Sequence, residues 1–165
     1  MKVIVVSDTH MPKRAKQLPG QLKQDLKTAD LIIHAGDWQT IELLNELSQY
    51  AKVVGVTGNV DSPELNRLLN DREIISINGY KIGVVHGHGK GLTTEKRALQ
   101  AFSGEKLDCL VFGHSHIPLL KDVNGMILFN PGSATDKRRQ EKYSYGIITF
   151  GNSLEARHVL YHEKV

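Results

Sequence analysis

A chain of 165 residues, 40% of them apolar, is long enough to bury one core and lies far from the composition of a disordered chain. A formal net charge of +3 gives no case for nucleic acid as an obligate partner and does not oppose an anionic substrate. The lone cysteine, Cys109, has no internal disulfide partner, and no apolar run approaches the roughly 20 residues a helix needs to cross a membrane. We expect one soluble, cytoplasmic domain over residues 1–165, without a signal peptide, since the apolar stretch after Lys2 ends at Ser7-Asp8.

Val3 to Val6 is a β-branched run of the kind that forms a buried strand. Leu18, Leu22 and Leu26 then recur at helical spacing, with Pro19 near the helix start. Leu31 to Ile33 predicts a second strand, Ile41, Leu44 and Leu47 a helix with one apolar face, and Val53 to Val56 a third strand. Ser62-Pro63 is an N-cap followed by proline at the first helical position, opening a short helix with Leu65, Leu68 and Leu69. This alternation predicts a parallel core sheet.

Beyond it the pattern changes. Glu73 to Ile77 and Tyr80 to Val85 flank Asn78-Gly79, a favoured hairpin turn. Thr93 to Phe102 reads as a helix and Cys109 to Phe112 as an apolar strand. Leu119 to Val123 and Met126 to Phe129 flank Asn124-Gly125 as a second hairpin. Tyr145 to Phe150 and Leu154 to Leu160, joined by Gly151-Asn152, form a third. The expected fold is α/β, with two packed sheets of mixed direction and helices over their outer faces.

Five short motifs follow predicted strands: Asp8-Thr9-His10, Gly36-Asp37, Gly58-Asn59-Val60-Asp61, His86-Gly87-His88 and Gly113-His114-Ser115-His116. Ligands bind outside the carboxyl ends of strands in open α/β sheets, so all five can converge there. In an extended segment residues i and i+2 face one side, which points Asp8 and His10 at one ion, and His114 and His116 likewise. The donors are imidazole, carboxylate and amide oxygen, without thiolate. That set suits manganese, iron, zinc, nickel or cobalt; the sequence does not choose among them, and manganese is taken first. Two ligand carboxylates against two divalent ions leave a positive site, suited to a phosphate ester. Ions roughly 3.5–4 Å apart can activate water and stabilise both entering and leaving oxygens.

In this order the five motifs resemble the calcineurin-like metallophosphoesterases. The short length and Asn130-Pro131-Gly132-Ser133 resemble the small bacterial and archaeal phosphodiesterase branch (YfcE-type). The resemblance covers nearly the whole chain. It implies a four-layer α/β/β/α sandwich with two divalent metal ions. By resemblance Asp8, His10 and His116 bind the first metal, Asn59, His86 and His114 the second, and Asp37 bridges them. It further implies attack on phosphorus by a metal-bridging hydroxide, with Asn130, Gly132 and Ser133 shaping the substrate pocket. Many family members carry a histidine directly after the asparagine of the Gly-Asn motif, where it protonates the leaving group or holds the phosphate. Here that residue is Val60. Loss of one acid–base contributor typically slows a reaction roughly 10²–10⁴-fold, so modest turnover and good leaving groups are expected. His88 is the candidate substitute and substrate contact. Asp61 is expected to orient a ligand or cap the helix at Ser62.

The resemblance implies a hydrolase of small phosphodiesters. Two alternatives stand beside it: a phosphomonoesterase or nucleotide or cyclic-nucleotide hydrolase, and a non-catalytic scaffold like the retromer subunit that shares this fold and lacks the same histidine. Exposed hairpin edges permit a homodimer or higher oligomer without requiring one. Among the remaining candidates, His34 reads as a hydrogen-bonded core histidine, His158 and His162 as exposed, and Cys109 as core packing. Trp38 either lines the cleft or packs. The basic runs Lys13, Arg14, Lys16 and Lys137 to Arg139 read as solvated loops in preference to phosphate contacts.

Overall fold

The computed structural model describes residues 1–164. Three strand–helix pairs come first: β1 (Lys2–Val6), α1 (Gly20–Leu26), β2 (Leu31–His34), α2 (Ile41–Ser48), β3 (Lys52–Gly55) and α3 (Pro63–Leu68). They are followed by β4 (Arg72–Ile77), β5 (Tyr80–Val85), α4 (Thr94–Ala101), β6 (Cys109–Val111), β7 (Leu119–Val123), β8 (Met126–Asn130), β9 (Tyr143–Phe150) and β10 (Leu154–Tyr161). One sheet has the order β10-β9-β1-β2-β3, the other β4-β5-β6-β8-β7. β1, β2 and β3 are parallel, as are β5, β6 and β8, and antiparallel strands complete both sheets.

The two-residue period of the strands sorts the core into layers. Val3 and Val5 of β1 join Ile33 of β2 against Ile82, Val84, Cys109 and Val111, forming the interior between the sheets. Ile4, Val6 and Ile32 face outward, onto Leu22 and Leu26 of α1, Leu43 and Leu47 of α2 and Leu65 of α3. On the far side Leu110 and Leu128 meet Ala98 of α4 and Phe102 at its end. The result is the expected α/β/β/α sandwich. β1 is buried on both faces, which is why it reads as a continuous apolar run rather than an alternation.

Local signals explain the joints. Asn78-Gly79 and Asn124-Gly125 both adopt positive φ at each residue, as a type I′ hairpin turn requires. Ser62 and Thr93 cap α3 and α4 through their hydroxyl oxygens. Two expectations shift. The apolar face of α2 centres on Leu43 and Leu47, with Ile41 and Leu44 at its margin. Leu68, placed on the apolar face of α3, is 63% exposed, and Leu65 is the residue of that helix that is buried.

Candidate metal centre

The parallel strands of both sheets deliver their carboxyl ends to one place. β1 leads into Asp8 and His10, β2 into Asp37, β3 into Asn59, β5 into His86, and β6 into His114 and His116. Past each strand the chain leaves the extended conformation. Asp8, His10, Asp37, His114 and His116 all have positive φ, between 45° and 68°. Asp and His tolerate this left-handed region better than most side chains, yet each such residue stores on the order of 1 kcal/mol or more of strain. Hydrogen bonds hold the turns: the Asp8, His10 and Met11 N–H groups donate to the Gly36, Asp37 and Trp38 carbonyls at 2.9–3.0 Å.

These turns overturn the extended-segment expectation for His114 and His116. The two histidines face different groups: His114 lies with Asp37 and His86, and His116 with Asp8 and His10. Asp8, His10 and His116 present ligand-type atoms within 4.8 Å of one another, and so do Asp37, His86 and His114. Asp37 Oδ2 joins the two groups, 3.2 Å from His86 Nε2 and 3.6 Å from His10 Nε2. Asn59 Oδ1 lies 3.2 Å from His86 Nε2.

The polar bookkeeping around Asp8 fits a cation. Its carboxylate is fully buried. Oδ2 accepts from Ser7 Oγ at 2.8 Å and from the His114 N–H at 2.9 Å. Oδ1 has no hydrogen-bond partner among the described residues, although it faces Nε2 of His116, His86 and His10 at 3.4, 3.7 and 3.9 Å. A buried carboxylate oxygen left unpaired is strongly unfavourable, and a metal ion satisfies it. His86 Nδ1 donates to the Ala35 carbonyl at 2.7 Å, and His116 Nδ1 to the Asp136 carbonyl at 2.5 Å. Both bonds fix the ring so that Nε2 points at the cluster, the usual second bond of a metal-binding imidazole.

Electrostatics agree. Burial pushes Asp8 up to about 6 despite nearby His86. Burial works against the Asp37 carboxylate too, but the hydrogen bond and charge of His86, then His10 and the Val60 N–H, hold it well below the usual range. His86 is buried, which disfavours its charge, yet its bond to Asp37 and the two carboxylates push it up to about 9. Burial, then the His86 charge, lowers His114 to about 4. His10 and His116 are also lowered, chiefly by burial. Without a cation the cluster thus keeps one proton, on His86, that a divalent ion would displace. Imidazole, carboxylate and amide oxygen without thiolate suit a borderline divalent metal.

Glycines make room. A Cβ on Gly58 would sit 2.0 Å from Asp37 Oδ1, and one on Gly36 2.7 Å from the His86 ring. Asp61 knits the same loops: Oδ2 accepts from the Asp37 and Gly58 N–H groups at 3.1 and 2.7 Å, and Oδ1 from Gln39 N–H at 2.8 Å. Asp61 therefore positions the loops that carry Asp37 and Asn59, and Ser62 caps the helix itself. Val60 is 45% exposed, and its N–H donates to Asp37 Oδ1 at 3.2 Å. His88 is exposed beside the second group, its ring centre 5.4 Å from that of His86. Burial and the His86 charge lower its pKa. A cavity of about 200 Å³ opens next to it, lined by Gly87, Arg72 and Arg97 among others.

Asn130, Gly132 and Ser133 do not reach the open face. All three are buried. Asn130 Nδ2 donates to the Gly113 carbonyl and Ser115 Oγ, both at 3.0 Å, and its Oδ1 accepts from Gly132 N–H at 2.9 Å. Ser133 Oγ donates to the Asp8 carbonyl at 2.7 Å. This segment braces the turns of β1 and β6, so the expected substrate contacts are replaced by support of the metal-facing loops. His158 is half-buried instead of exposed: it stacks on Phe129, and its Nε2 pairs with the Asn130 carbonyl at 2.7 Å. Trp38 is fully buried, stacked on the core histidine His34, with Nε1 donating to the Val56 carbonyl at 2.8 Å. Cys109 is buried in the core between the sheets. Ser7 and Asp136 support Asp8 and His116 without having been anticipated. Ser7 had a signal in its position before Asp8, whereas the carbonyl of Asp136 had none.

A two-sheet sandwich with two adjoining carboxylate–histidine clusters at its strand ends defines the metallophosphoesterase class. Residues 1–153 match the calcineurin-like phosphoesterase superfamily domain, and the chain belongs to that family. A probable metallophosphoesterase of Methanocaldococcus jannaschii is 41% identical over 141 residues, covering 84% of this chain and 70% of that protein. A phosphodiesterase of the same organism is 25% identical over 165 residues, covering 92% of this chain and 91% of its own. Among solved structures, wild-type Vps29 of Entamoeba histolytica complexed with zinc superposes with a TM-score of 0.74 at 25% identity, covering 97% of this chain and 99% of that chain. No helix among the described residues is long and apolar enough to cross a membrane.

Proposed function

We propose that this chain is a divalent-metal-dependent phosphodiesterase. The observation that carries the reading is Asp37 Oδ2, placed within 3.6 Å of histidines from both clusters, as a shared ligand must be. In this reading Asp8, His10 and His116 hold one ion, and His86, His114 and Asn59 the other, with manganese the first candidate. Bound divalent ions supply Lewis acidity toward water and offset the charge of the phosphoryl group. The chain's own residues do the rest. His86 gives up its Nε2 proton on loading, and its Nδ1–H stays on Ala35, so the ring need not turn. Buried Ser7 and the His114 N–H hold Asp8 in one orientation.

Val60 offers no proton at its position, so the leaving group must depart as a stabilised anion. His88, the exposed imidazole nearby, has its pKa lowered and is better suited to hydrogen bonding than to proton donation at neutral pH. Both features favour diesters of acidic phenols or alcohols over monoesters of ordinary alcohols.

The test is hydrolysis of bis(p-nitrophenyl) phosphate and p-nitrophenyl phosphate by chelator-stripped protein, with manganese, nickel, zinc or magnesium added back, beside Asp37→Ala. Metal-restored diester turnover, lost in the variant, is expected. Equal activity of stripped and loaded protein would sink the reading. A second reading, a metal-binding scaffold, is favoured by exposed Val60 and by the likeness to Vps29. It predicts tight metal binding without turnover under any metal.

A further inference from the structure

Two basic runs, distant in sequence, are anchored side by side at the first cluster. The Arg14 N–H donates to the His10 carbonyl at 2.7 Å, so Lys13 and Arg14 begin within one turn of that histidine. Asp136, whose carbonyl holds His116, opens the run Lys137, Arg138 and Arg139. The two are tied together: Arg14 Nε lies 3.3 Å from Asp136 Oδ2, and Lys164 Nζ donates to the Arg14 and Thr135 carbonyls at 2.5 and 3.1 Å. Lys137 and Lys164 both lie over the Tyr143 ring. Asp136 is committed to Arg14, and among the described residues Lys13, Lys137, Arg138 and Arg139 have no carboxylate within ion-pair distance. Lys13, Arg14, Lys137, Arg138, Arg139 and Lys164 gather here in a chain whose net charge is only +3, so the rim carries a local excess of positive charge.

We propose that the rim is a second-phosphate subsite, so that the substrate is a phosphodiester bearing at least one further phosphate beside the scissile one. This deepens the hydrolytic reading and rests on it. Two sources share the chemistry: an oligonucleotide strand, or a small nucleotide with a terminal phosphate. Free guanidinium and ammonium groups on loops can meet either by charge-assisted hydrogen bonds. The opposite flank is built differently, because Arg97 spends its guanidinium on the Gly87 and Leu92 carbonyls and Thr94 Oγ1.

The experiment compares kcat/KM of metal-loaded protein on bis(p-nitrophenyl) phosphate, on the dinucleotide TpT and on its phosphorylated form pTpT. The triple variant Lys13→Gln, Arg138→Asn, Arg139→Gln is run in parallel. It spares Arg14, which braces Asp136, and keeps a residue tolerant of positive φ at 138. The wild type should prefer pTpT to TpT by about 10-fold or more at low salt, and the preference should fade as salt rises. The triple variant should lose that preference while staying within about twofold on bis(p-nitrophenyl) phosphate. Octathymidylate outperforming pTpT identifies the strand as the source, and parity identifies the terminal phosphate. A preference absent from the wild type, or intact in the variant, overturns the proposal.

If no substrate is turned over, the hydrolytic reading fails and binding decides the rim separately. A labelled phosphorothioate octathymidylate should bind the metal-loaded variant about 10-fold more weakly, with the salt slope reduced by about 2 for three lost contacts. Equal affinity and slope would reject the subsite.

Discussion

Asp37 Oδ2 lies 3.2 Å from His86 Nε2, and this pair sets the protonation of the whole cluster. The carboxylate is held ionised and the imidazole is pushed up to about 9, so the metal-free protein carries an internal ion pair where the metal belongs.

That pair makes metal-free stability depend on pH with a definite sign. The folded pKa of His86 lies above its ordinary value of 6.5, so its contribution is full below 6.5 and is lost as pH rises through about 9. Asp8, raised to about 6, has finished titrating before this window opens. Chelated protein should therefore lose on the order of 1–3 kcal/mol between about pH 7.5 and 9.5, while metal-loaded protein should lose less, keeping only the fall near pH 9 that the buried Cys109 thiol gives both forms. Denaturant melts across that range check this, and parallel profiles would remove His86 as the proton carrier. Calorimetry in buffers of different ionisation heat should also show proton release on metal binding below pH 9.

Asp61 acts through the loops it holds. Asp61→Ala leaves the N–H groups of Asp37, Gln39 and Gly58 without their acceptor and should cost roughly 2–4 kcal/mol of stability. It should also weaken metal binding roughly 10–100-fold. Asp61→Asn, which keeps an acceptor oxygen, should fall between the two. A metal titration followed by activity reads the positioning role, since excess metal should recover much of the rate. An unchanged metal affinity would limit Asp61 to a role in stability.

Gly58→Ala tests the closeness of two loops. Its Cβ would stand 2.0 Å from Asp37 Oδ1 and 2.5 Å from the Asp37 backbone nitrogen, so the β3 loop must retreat. A stability loss of about 1–3 kcal/mol and a weakened metal site are expected. Gly20→Ala, where a Cβ meets nothing within 4 Å, is the control. Equal melting temperatures for the two variants would contradict this close packing.

Val60→His should restore a proton donor beside the cluster. Val60 is exposed, so the larger ring needs no space in the core. The gain should grow as the leaving group worsens, reaching roughly 10-fold or more for esters of ordinary alcohols and little for p-nitrophenol. The check is the slope of log kcat against leaving-group pKa. Parallel slopes for wild type and variant would mean that position 60 does not address the leaving group.

The sequence by itself determined which elements form and which side chains are candidate metal ligands. Apolar runs such as Val3 to Val6 require burial on both faces, and Asn78-Gly79 and Asn124-Gly125 dictate their turns through backbone preference alone. The five motifs were legible because metal-ligating side chains beside glycine after an apolar strand form a local pattern.

What the sequence left open is non-local. The partition of His114 and His116 between two clusters depends on left-handed turns imposed by hydrogen bonds to other strands, and i, i+2 spacing points the wrong way. Asn130 and Ser133 look like polar loop residues available to a substrate, yet both are buried, and their side chains bond the turns of β1 and β6 and their own segment. His158 is drawn into the interior because β10 passes the end of β8. Two basic runs became one rim only when Arg14 met Asp136. In each case the deciding term is a hydrogen bond, ion pair or desolvation cost between residues far apart in the chain, which folding alone brings within range.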